Sequence, residues 1–237
     1  IGEYGGIWHR AWRGVNDFHC FGRVNYDPVL RWPRDPSDPV QPGLAERWEW
    51  NEDGTELTLF FREGLKWSDG TPWTVDDVIF WWEAIEQDTN ITAAIHSEWI
   101  VAGEPMTLEK VDDITIKLKF AAPNGLAETV GLAFHGNQWP LGFERFGFYA
   151  PKHYLSQFHP KYNPNADAEA VAAGYNNWQA RLGDVDDVNY GAQEVDLPML
   201  DPWIPVRNDT QGLTFVRNPY YWKVDTEGKQ LPYIDEV

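Results

Sequence analysis

The residues of this sequence that could do chemistry do not form a recognisable catalytic or metal-binding pattern. The six histidines are scattered along the chain: His9, His19, His96, His135, His153 and His159. The sequence contains no H-E-x-x-H, C-x-x-C or G-x-S-x-G arrangement, which zinc sites and serine hydrolases need for their geometry. Cys20 is flanked by His19, but a neighbour in sequence is too local to act as its base. We therefore expect no enzyme activity, no cofactor and no metal site.

Acidic and aromatic residues leave one enzymatic alternative open. The chain has 37 Asp and Glu residues, so carboxylate spacing by itself identifies nothing, and it has 14 Trp. Glycosidases use a pair of carboxylates about 5–10 Å apart, in clefts where flat rings can meet sugars. A carbohydrate-active enzyme is thus kept as a less favoured alternative, while most of the Trp residues are expected to pack in the core.

Charge and length exclude other classes of partner. The formal net charge is -18 over 237 residues, and a surface this negative repels nucleic acid and anionic lipid. One cysteine cannot form a disulfide within the chain, and no apolar run is long enough to span a bilayer. We expect no nucleic-acid partner.

One helix is predicted more clearly than any other element. Thr74 fits an N-cap, and Asp76 and Asp77 place negative charge in the first turn, where the helix dipole favours it. Apolar residues follow at helical spacing from Val78, so the helix should run to about Gln87.

The remaining pattern mixes hairpins and helices without regular alternation, which favours a mixed α+β or α/β fold. Strands are predicted at residues 4–13, 57–61 and 213–217, and a hairpin at 107–120 with its turn at 111–113. Helical segments are predicted at residues 43–48, 126–133, 151–158 and 168–182.

Several ordered motifs resemble a known family. Residues 42–49 read P-G-L-A-E-R-W-E, residues 59–70 read L-F-F-R-E-G-L-K-W-S-D-G, and residues 217–223 read R-N-P-Y-Y-W-K. Together with L-P-Y-I-D at 231–235 and Y-G-G at 4–6, they resemble the family 5 solute-binding proteins of ABC importers. Where that family usually has a Gly-rich G-T-G-P-Y segment, residues 197–203 of this chain read L-P-M-L-D-P-W.

The resemblance implies a fold and a division of the chain. It implies a periplasmic-binding-protein-like class II fold, of which this chain is a fragment carrying lobe one with an inserted subdomain, the second lobe missing. Residues 1–29 and 124–237 are then expected to form the main part of lobe one, and residues 30–123 the inserted subdomain.

The resemblance also implies a function. It implies a monomeric receptor that captures a solute and delivers it to an ABC permease in the membrane. Oligopeptide is the expected solute, and oligosaccharide is the alternative. The expected location is periplasmic or extracellular, as a lipoprotein anchored through a segment outside this chain; the start at Ile1 suggests that upstream residues were removed.

Two loops are candidates for contact with the solute. By resemblance to the peptide binders, the first is the loop of Asn16, Asp17, Phe18 and His19. Asp17 could meet an amine and Phe18 could stack on a ring. The second is the loop at residues 135–139, from which Asn137 and Trp139 are predicted as ligand-binding residues. Motif residues such as Trp67, Asp69 and Gly70 are expected to build structure rather than touch the solute.

Overall fold

Strands and short helices alternate irregularly along the chain. The computed structural model describes residues 2–9, 26–139, 147–186, 195–209 and 212–237. The described strands are β1 (Leu30–Arg31), β2 (Gln41–Pro42), β3 (Ala45–Trp50), β4 (Glu56–Phe61), β5 (Ile100–Val101), β6 (Glu104–Pro105), β7 (Thr107–Lys110), β8 (Thr115–Lys119), β9 (Trp203–Asp209) and β10 (Gly212–Arg217). The described α-helices are α1 (Val75–Trp81), α2 (Lys152–Leu155), α3 (Ala166–Ala172) and α4 (Trp178–Val185). Shorter helical segments are the 3-10 turns Ser97–Trp99 and Ser156–Phe158 and the π-helical segments Trp82–Glu86 and Ala127–Phe134.

The largest sheet is antiparallel, with strand order β3-β4-β8-β7. The turn between β3 and β4 is closed by Asn51, whose Oδ1 accepts hydrogen bonds from the backbone N of Thr55 (2.9 Å) and Glu56 (3.0 Å). Gly54 completes the turn at φ +66°, a left-handed conformation that glycine adopts without a Cβ clash. Alternate residues of β4 are buried, as the predicted strand at 57–61 requires.

Two sequence-based expectations are wrong in detail. The helical turns predicted at residues 43–48 are strand β3 instead, because pairing with β4 satisfies the backbone there and places Trp48 opposite Leu59. The single helix predicted at 168–182 is divided into α3 and α4. Gly174 lies between them at φ +93°, and Asn177 starts α4 by accepting from the backbone N of Ala180 at 2.8 Å.

The predicted helix from Thr74 is confirmed. Thr74 Oγ1 accepts from Asp76 N at 3.3 Å, and Asp77 Oδ2 accepts from Thr74 N at 3.1 Å, which is a reciprocal capping box. The helix continues beyond α1 as the π-helical segment Trp82–Glu86. The hairpin predicted at 107–120 is also confirmed, as β7 and β8.

The described contacts group into two compact units. Unit 1 takes its residues from Ile1–Tyr26, Leu65–Trp73 and His153–Val237, and unit 2 from Asp27–Gly64 and Thr74–Lys152. Unit 2 contains the four-stranded sheet and α1, and unit 1 contains α3, α4 and the β9–β10 hairpin. None of the described helices is long and apolar enough to cross a membrane.

The interior of unit 2 is built around aromatic rings. The ring centroids of Trp81 and Trp99 lie 6.0 Å apart, and Phe148 lies 5.3 Å from each of them. Gly131 approaches this group so closely that an added Cβ would stand 2.5 Å from Cη2 of Trp99. Trp99 therefore fixes the distance between its 3-10 turn and the π-helical segment Ala127–Phe134.

Motif residues that were expected to be structural meet inside unit 1. Trp67 is fully buried. Gly70 turns at φ +88°, and an added Cβ there would stand 3.0 Å from the hydroxyl of Tyr220. Asn218 is buried, and its Nδ2 donates to the carbonyl of Asp201 at 2.9 Å. The motifs near residues 67 and 218 thus pack within one scaffold.

Candidate functional site

The first predicted loop, with Asn16, Asp17, Phe18 and His19, lies outside the described residues. The second, residues 135–139, is described and belongs to unit 2. The structure therefore gives geometry for Asn137 and Trp139 but none for the first four candidates. Contact of these two loops with a solute stays a prediction.

The loop at 135–139 is held by backbone hydrogen bonds on two sides. On one side, Gly136 O accepts from Val29 N at 2.7 Å. On the other, Asn137 O accepts from Phe148 N and Trp139 N donates to Tyr149 O, both at 2.9 Å. Gly136 is packed against the backbone of Leu132, so a larger residue would not fit there. The path of the loop is consequently fixed by strand-like contacts to the segments around residues 29 and 148.

Both predicted ligand-binding side chains of this loop are buried within the described chain. Asn137 is 4% exposed and Trp139 is 2% exposed. Asn137 Oδ1 has no hydrogen-bond partner among the described residues. Within the described part of the chain, this amide oxygen is therefore an acceptor without a donor, and such a buried acceptor typically costs about 1–3 kcal/mol.

An acid–imidazole pair stands at the start of the loop. His135 Nδ1 lies 2.5 Å from Oε1 of Glu98, and both side chains are almost fully buried. Burial acts to raise the pKa of Glu98, but the hydrogen bond from His135 and its charge outweigh burial and hold that pKa below its ordinary value. Glu98 is thus an ionised carboxylate in contact with the imidazole of His135.

A second pair of the same kind lies two residues before Glu98 in sequence. His96 Nδ1 is 2.8 Å and 3.0 Å from the two carboxylate oxygens of Glu86, and its backbone N donates to the same group at 2.7 Å. The hydrogen bond to Glu86 raises the pKa of His96 against the opposing effect of burial. We call these four residues, Glu86, His96, Glu98 and His135, the acid–imidazole chain.

Sequence reasoning singled out His135 but missed both glutamates. A signal existed for Glu86, which stands eight residues after Val78 and therefore on the buried face of the predicted helix. No sequence signal pointed to Glu98, because its partner His135 is 37 residues away along the chain.

Unit 1 has an acid–imidazole pair of its own. His153 Nε2 lies 2.8 Å from Oδ2 of Asp69, and the ring of His153 lies 6.0 Å from that of Trp67. Asp69 Oδ1 also accepts from Thr71 N at 2.9 Å, which closes the turn of the S-D-G motif. The pKa of Asp69 is lowered: burial opposes the shift, while the hydrogen bonds from Thr71 and His153 outweigh it.

The described residues do not assemble a metal centre. No group of three or more His, Cys, Asp or Glu side chains in the described part of the chain could hold a metal ion. In the acid–imidazole chain, each carboxylate faces an imidazole. This arrangement pairs each buried carboxylate with an imidazole, whereas a glycosidase would direct two carboxylates at one substrate bond.

The chain belongs to the bacterial extracellular solute-binding proteins of family 5. The family model described as "Bacterial extracellular solute-binding proteins, family 5 Middle" matches residues 39–237. The resemblance noted from the motifs is confirmed, and so is the mixed α/β fold of periplasmic binding proteins. This is a family of non-enzymatic receptors.

Individual relatives carry two kinds of name. The chain is 32% identical to a periplasmic alpha-galactoside-binding protein of Rhizobium meliloti, over 96% of this chain and 29% of the relative. It is similar to a solved structure named oligopeptide-binding protein OppA, with a TM-score of 0.85, 34% identity, and coverage of 100% of this chain and 35% of that one. It is also similar to the periplasmic binding protein MelB from Agrobacterium fabrum C58 in complex with stachyose, with a TM-score of 0.70, 27% identity, and coverage of 100% and 34%. The chain spans about a third of the length of these relatives.

Proposed function

We propose that this chain is part of a receptor that captures a solute and delivers it to an ABC permease, without catalysing a reaction. The observation that carries the proposal is the family match over residues 39–237. The burial of Trp67 and Asn218 supports it, because the shared motifs then serve a common scaffold instead of an active site.

Oligopeptide is the solute class that we propose first. The similarity to the structure named oligopeptide-binding protein, at a TM-score of 0.85 and 34% identity, favours it. Asp17 would meet a peptide amine, Phe18 would stack on a side chain, and Asn16, His19 and Asn137 would bond peptide groups. Trp139 would give an apolar wall. A peptide backbone offers many N–H donors, which is what the unmet acceptor of Asn137 requires.

An oligosaccharide is the second candidate, and it has its own support. The relative named for alpha-galactoside binding is 32% identical over 96% of this chain, and a similar structure holds stachyose. Sugar hydroxyls also donate to amide oxygens, and indole rings stack on sugar faces. The same residues would then contact the ring hydroxyls.

Calorimetric titration of the intact protein separates these ligand classes. The probes are a mixture of tri- and tetrapeptides and, separately, stachyose. A ligand at 100 times its Kd should stabilise the folded protein by about 2.7 kcal/mol, which a thermal-shift assay would detect. Binding of stachyose with no response to peptides would overturn the peptide proposal, and silence of both probes would overturn both solute classes.

A pair of variants tests the first loop. Asp17→Asn should weaken binding of peptides with a free amine at least severalfold, because it removes the charge while keeping the shape. Asp53→Asn, an exposed change outside the candidate loops, serves as the matched control and should leave the Kd unchanged. Equal affinities for the two variants would remove Asp17 from the site.

The remaining organisation is proposed with the function. We propose that the receptor is a monomer in the periplasm or outside the cell, held to the membrane as a lipoprotein. Residues 1–29 and 124–237 would be the main part of its first lobe, and residues 30–123 an inserted subdomain. Light scattering after gel filtration tests the monomeric state, and limited proteolysis tests the two boundaries. A dimer, or a protease-resistant core that crosses both boundaries, would contradict them.

A further inference from the structure

The turn that follows the helix from Thr74 carries a sequence for covalent modification. Residues 88–92 read D-T-N-I-T, in which Asn90 and Thr92 form the N-x-T pattern of an acceptor for N-linked sugars. We propose that Asn90 is a glycosylation site, which accepts an oligosaccharide on Nδ2 and is recognised together with the carboxylate of Asp88. Only the location outside the cytoplasm rests on the proposed function, and the acceptor chemistry does not depend on a solute.

Asn90 lies in a loop of unit 2 that is closed at its base. The loop leaves the π-helical segment Trp82–Glu86 and returns at His96, whose backbone N donates to the carboxylate of Glu86 at 2.7 Å. Glu86 is buried, whereas Thr89 and Asn90 are exposed. A fixed base combined with an exposed end makes the acceptor accessible to an enzyme while unit 2 stays folded.

Asp88 shapes the turn that presents the acceptor. Its Oδ1 accepts from the backbone N of Asn90 at 2.8 Å and from Nδ2 of the same residue at 2.7 Å. Its carbonyl accepts from the backbone N of Ile91 at 2.9 Å and from that of Thr92 at 2.8 Å. An Asp side chain commonly closes a turn in this way. The acid, the amide and the threonine are thereby held in one turn, where a single enzyme site can contact all three.

The charge of Asp88 distinguishes this sequence from an ordinary N-x-T. Bacterial oligosaccharyltransferases select acceptors of the form D/E-x-N-x-S/T, in which the acidic residue stands two positions before the asparagine, as Asp88 does here. A cationic group of the enzyme gains a charge-assisted hydrogen bond from such a carboxylate, and bonds of this kind are roughly twice as strong as neutral ones. The expected modifying enzyme is therefore of the bacterial class that reads this acid.

A second N-x-T pattern in the chain differs in both respects. It consists of Asn208, Asp209 and Thr210, and Val206 stands two positions before its asparagine. Asn208 belongs to strand β9, where it is paired with Leu213 of β10. Backbone that is paired in a hairpin cannot enter an enzyme site without giving up its hydrogen bonds. Asn208 is therefore an internal control that has the three-residue pattern but neither the acid nor the turn.

The transfer is a substitution at the first carbon of the sugar. Nδ2 of Asn90 forms a bond to C1 of an oligosaccharide carried on a polyprenyl diphosphate, and the bond between C1 and the diphosphate oxygen breaks. The diphosphate leaves with the electron pair, while a base of the transferase takes one proton from Nδ2. The step needs neither an oxidant nor a reductant, so a lipid-linked oligosaccharide is the only co-substrate.

Transfer to the intact, folded protein in vitro tests the site. The protein is incubated with a purified bacterial oligosaccharyltransferase of the D/E-x-N-x-S/T class and an undecaprenyl-diphosphate-linked oligosaccharide, and mass spectrometry maps the glycan. Most molecules should gain one glycan, on Asn90, while Asn208 stays unmodified. A short D-x-N-x-T peptide in a parallel reaction shows that the enzyme is active. An unmodified protein beside a modified peptide, or equal occupancy of Asn90 and Asn208, would overturn the proposal.

Three variants assign the roles within the turn. Asn90→Gln should abolish the gain in mass, and the matched control Asn208→Gln should leave it intact. Asp88→Asn keeps an oxygen that can accept from Asn90 and removes the charge, so the initial rate of transfer should fall at least severalfold. A glycan that survives Asn90→Gln, or an unchanged rate in Asp88→Asn, would contradict the proposal. If Asp88→Asn does not fold, the comparison of Asn90 with Asn208 in the wild type still decides.

Glycan transfer and solute binding are measured independently, so the two proposals fail separately. A protein that gains the glycan on Asn90 but binds neither peptides nor stachyose would contradict the proposed function alone. A protein that binds one of these probes but stays unmodified beside a modified control peptide would contradict the glycosylation site alone.

Discussion

Each of the two compact units contains a contact between an imidazole and a carboxylate, buried in unit 2 and partly exposed in unit 1. In unit 2, the side chains of His135 and Glu98 are 10% and 4% exposed, whereas in unit 1 those of His153 and Asp69 are 29% and 41% exposed. Water screens the second pair, so its Coulomb attraction is small. The first pair has given up hydration, and each partner depends on the other. Two contacts of the same kind, at 2.5 Å and 2.8 Å, are thus expected to differ in energy because they differ in burial.

The exposed pair has a different task. Asp69 accepts from Thr71 N as well as facing His153, so the turn persists without the imidazole. The S-D-G motif therefore has a structural role at this turn, as expected from the sequence. Mutation of the two histidines should therefore show how much stability the buried pair and the partly exposed pair each contribute.

The largest expected effect is that of His135→Ala. It leaves the carboxylate of Glu98 buried without its partner, and such a loss costs about 3–5 kcal/mol in the free energy of unfolding. The midpoint of urea denaturation of the intact protein at pH 6 measures it. A loss below about 1 kcal/mol would mean that the buried pair behaves like an exposed one.

The next effect concerns the packing that supports the buried pair. Gly131→Ala places a methyl group 2.5 Å from Cη2 of Trp99, the neighbour of Glu98. Overpacking of this kind typically costs about 1–3 kcal/mol. Gly125→Ala is a suitable control, because an added Cβ there meets nothing within 4 Å. Equal denaturation midpoints for the two variants would show that the aromatic group can move aside.

A smaller effect should appear as a dependence on pH. The hydrogen bond to Glu86 raises the pKa of His96, so the stabilisation from this pair is fully present below the unfolded pKa of about 6.5. It is lost as the pH rises through the higher pKa of the folded state. Denaturation midpoints of the wild type should therefore fall between neutral and mildly alkaline pH, with a weaker fall in His96→Gln. A steeper fall in the variant would contradict the sign.

The smallest effect should be that of His153→Ala. The pair with Asp69 is partly exposed, and exposed pairs contribute about 0–1 kcal/mol. Denaturation under the conditions used for His135→Ala gives the direct comparison. A loss that approaches that of His135→Ala would show that the turn at Asp69 depends on the imidazole, and it would remove the contrast between the two units.

Local patterns predicted the elements that local interactions build. The strand at 57–61 follows from alternation, and the helix from Thr74 follows from its capping box, since both signals lie within a few residues. Residues 43–48 were misread as helix because pairing with β4 decides their conformation. Strand β9 was missed for the same reason, since its register comes from β10.

The candidate site was predicted less completely. The loop at 135–139 was recognised from its polar and aromatic residues, but its attachment to Glu98 depends on contacts distant in sequence. Asn137 and Trp139 stay predictions as ligand contacts, as do Asn16, Asp17, Phe18 and His19. The contact between His135 and Glu98 joins residues 37 positions apart, so only the structure shows it.

The aromatic interior of unit 2 also makes this protein optically distinctive. The indole of Trp81 lies 5.7 Å from that of Trp82 and 6.0 Å from that of Trp99, at interplanar angles of 43° and 70°. Chromophores this close and this far from parallel couple their electronic transitions, which splits their circular dichroism into bands of opposite sign. That signal vanishes once the rings lose their mutual orientation, even where helices and strands persist. The tryptophans beside the acid–imidazole chain are therefore an intrinsic reporter of tertiary order.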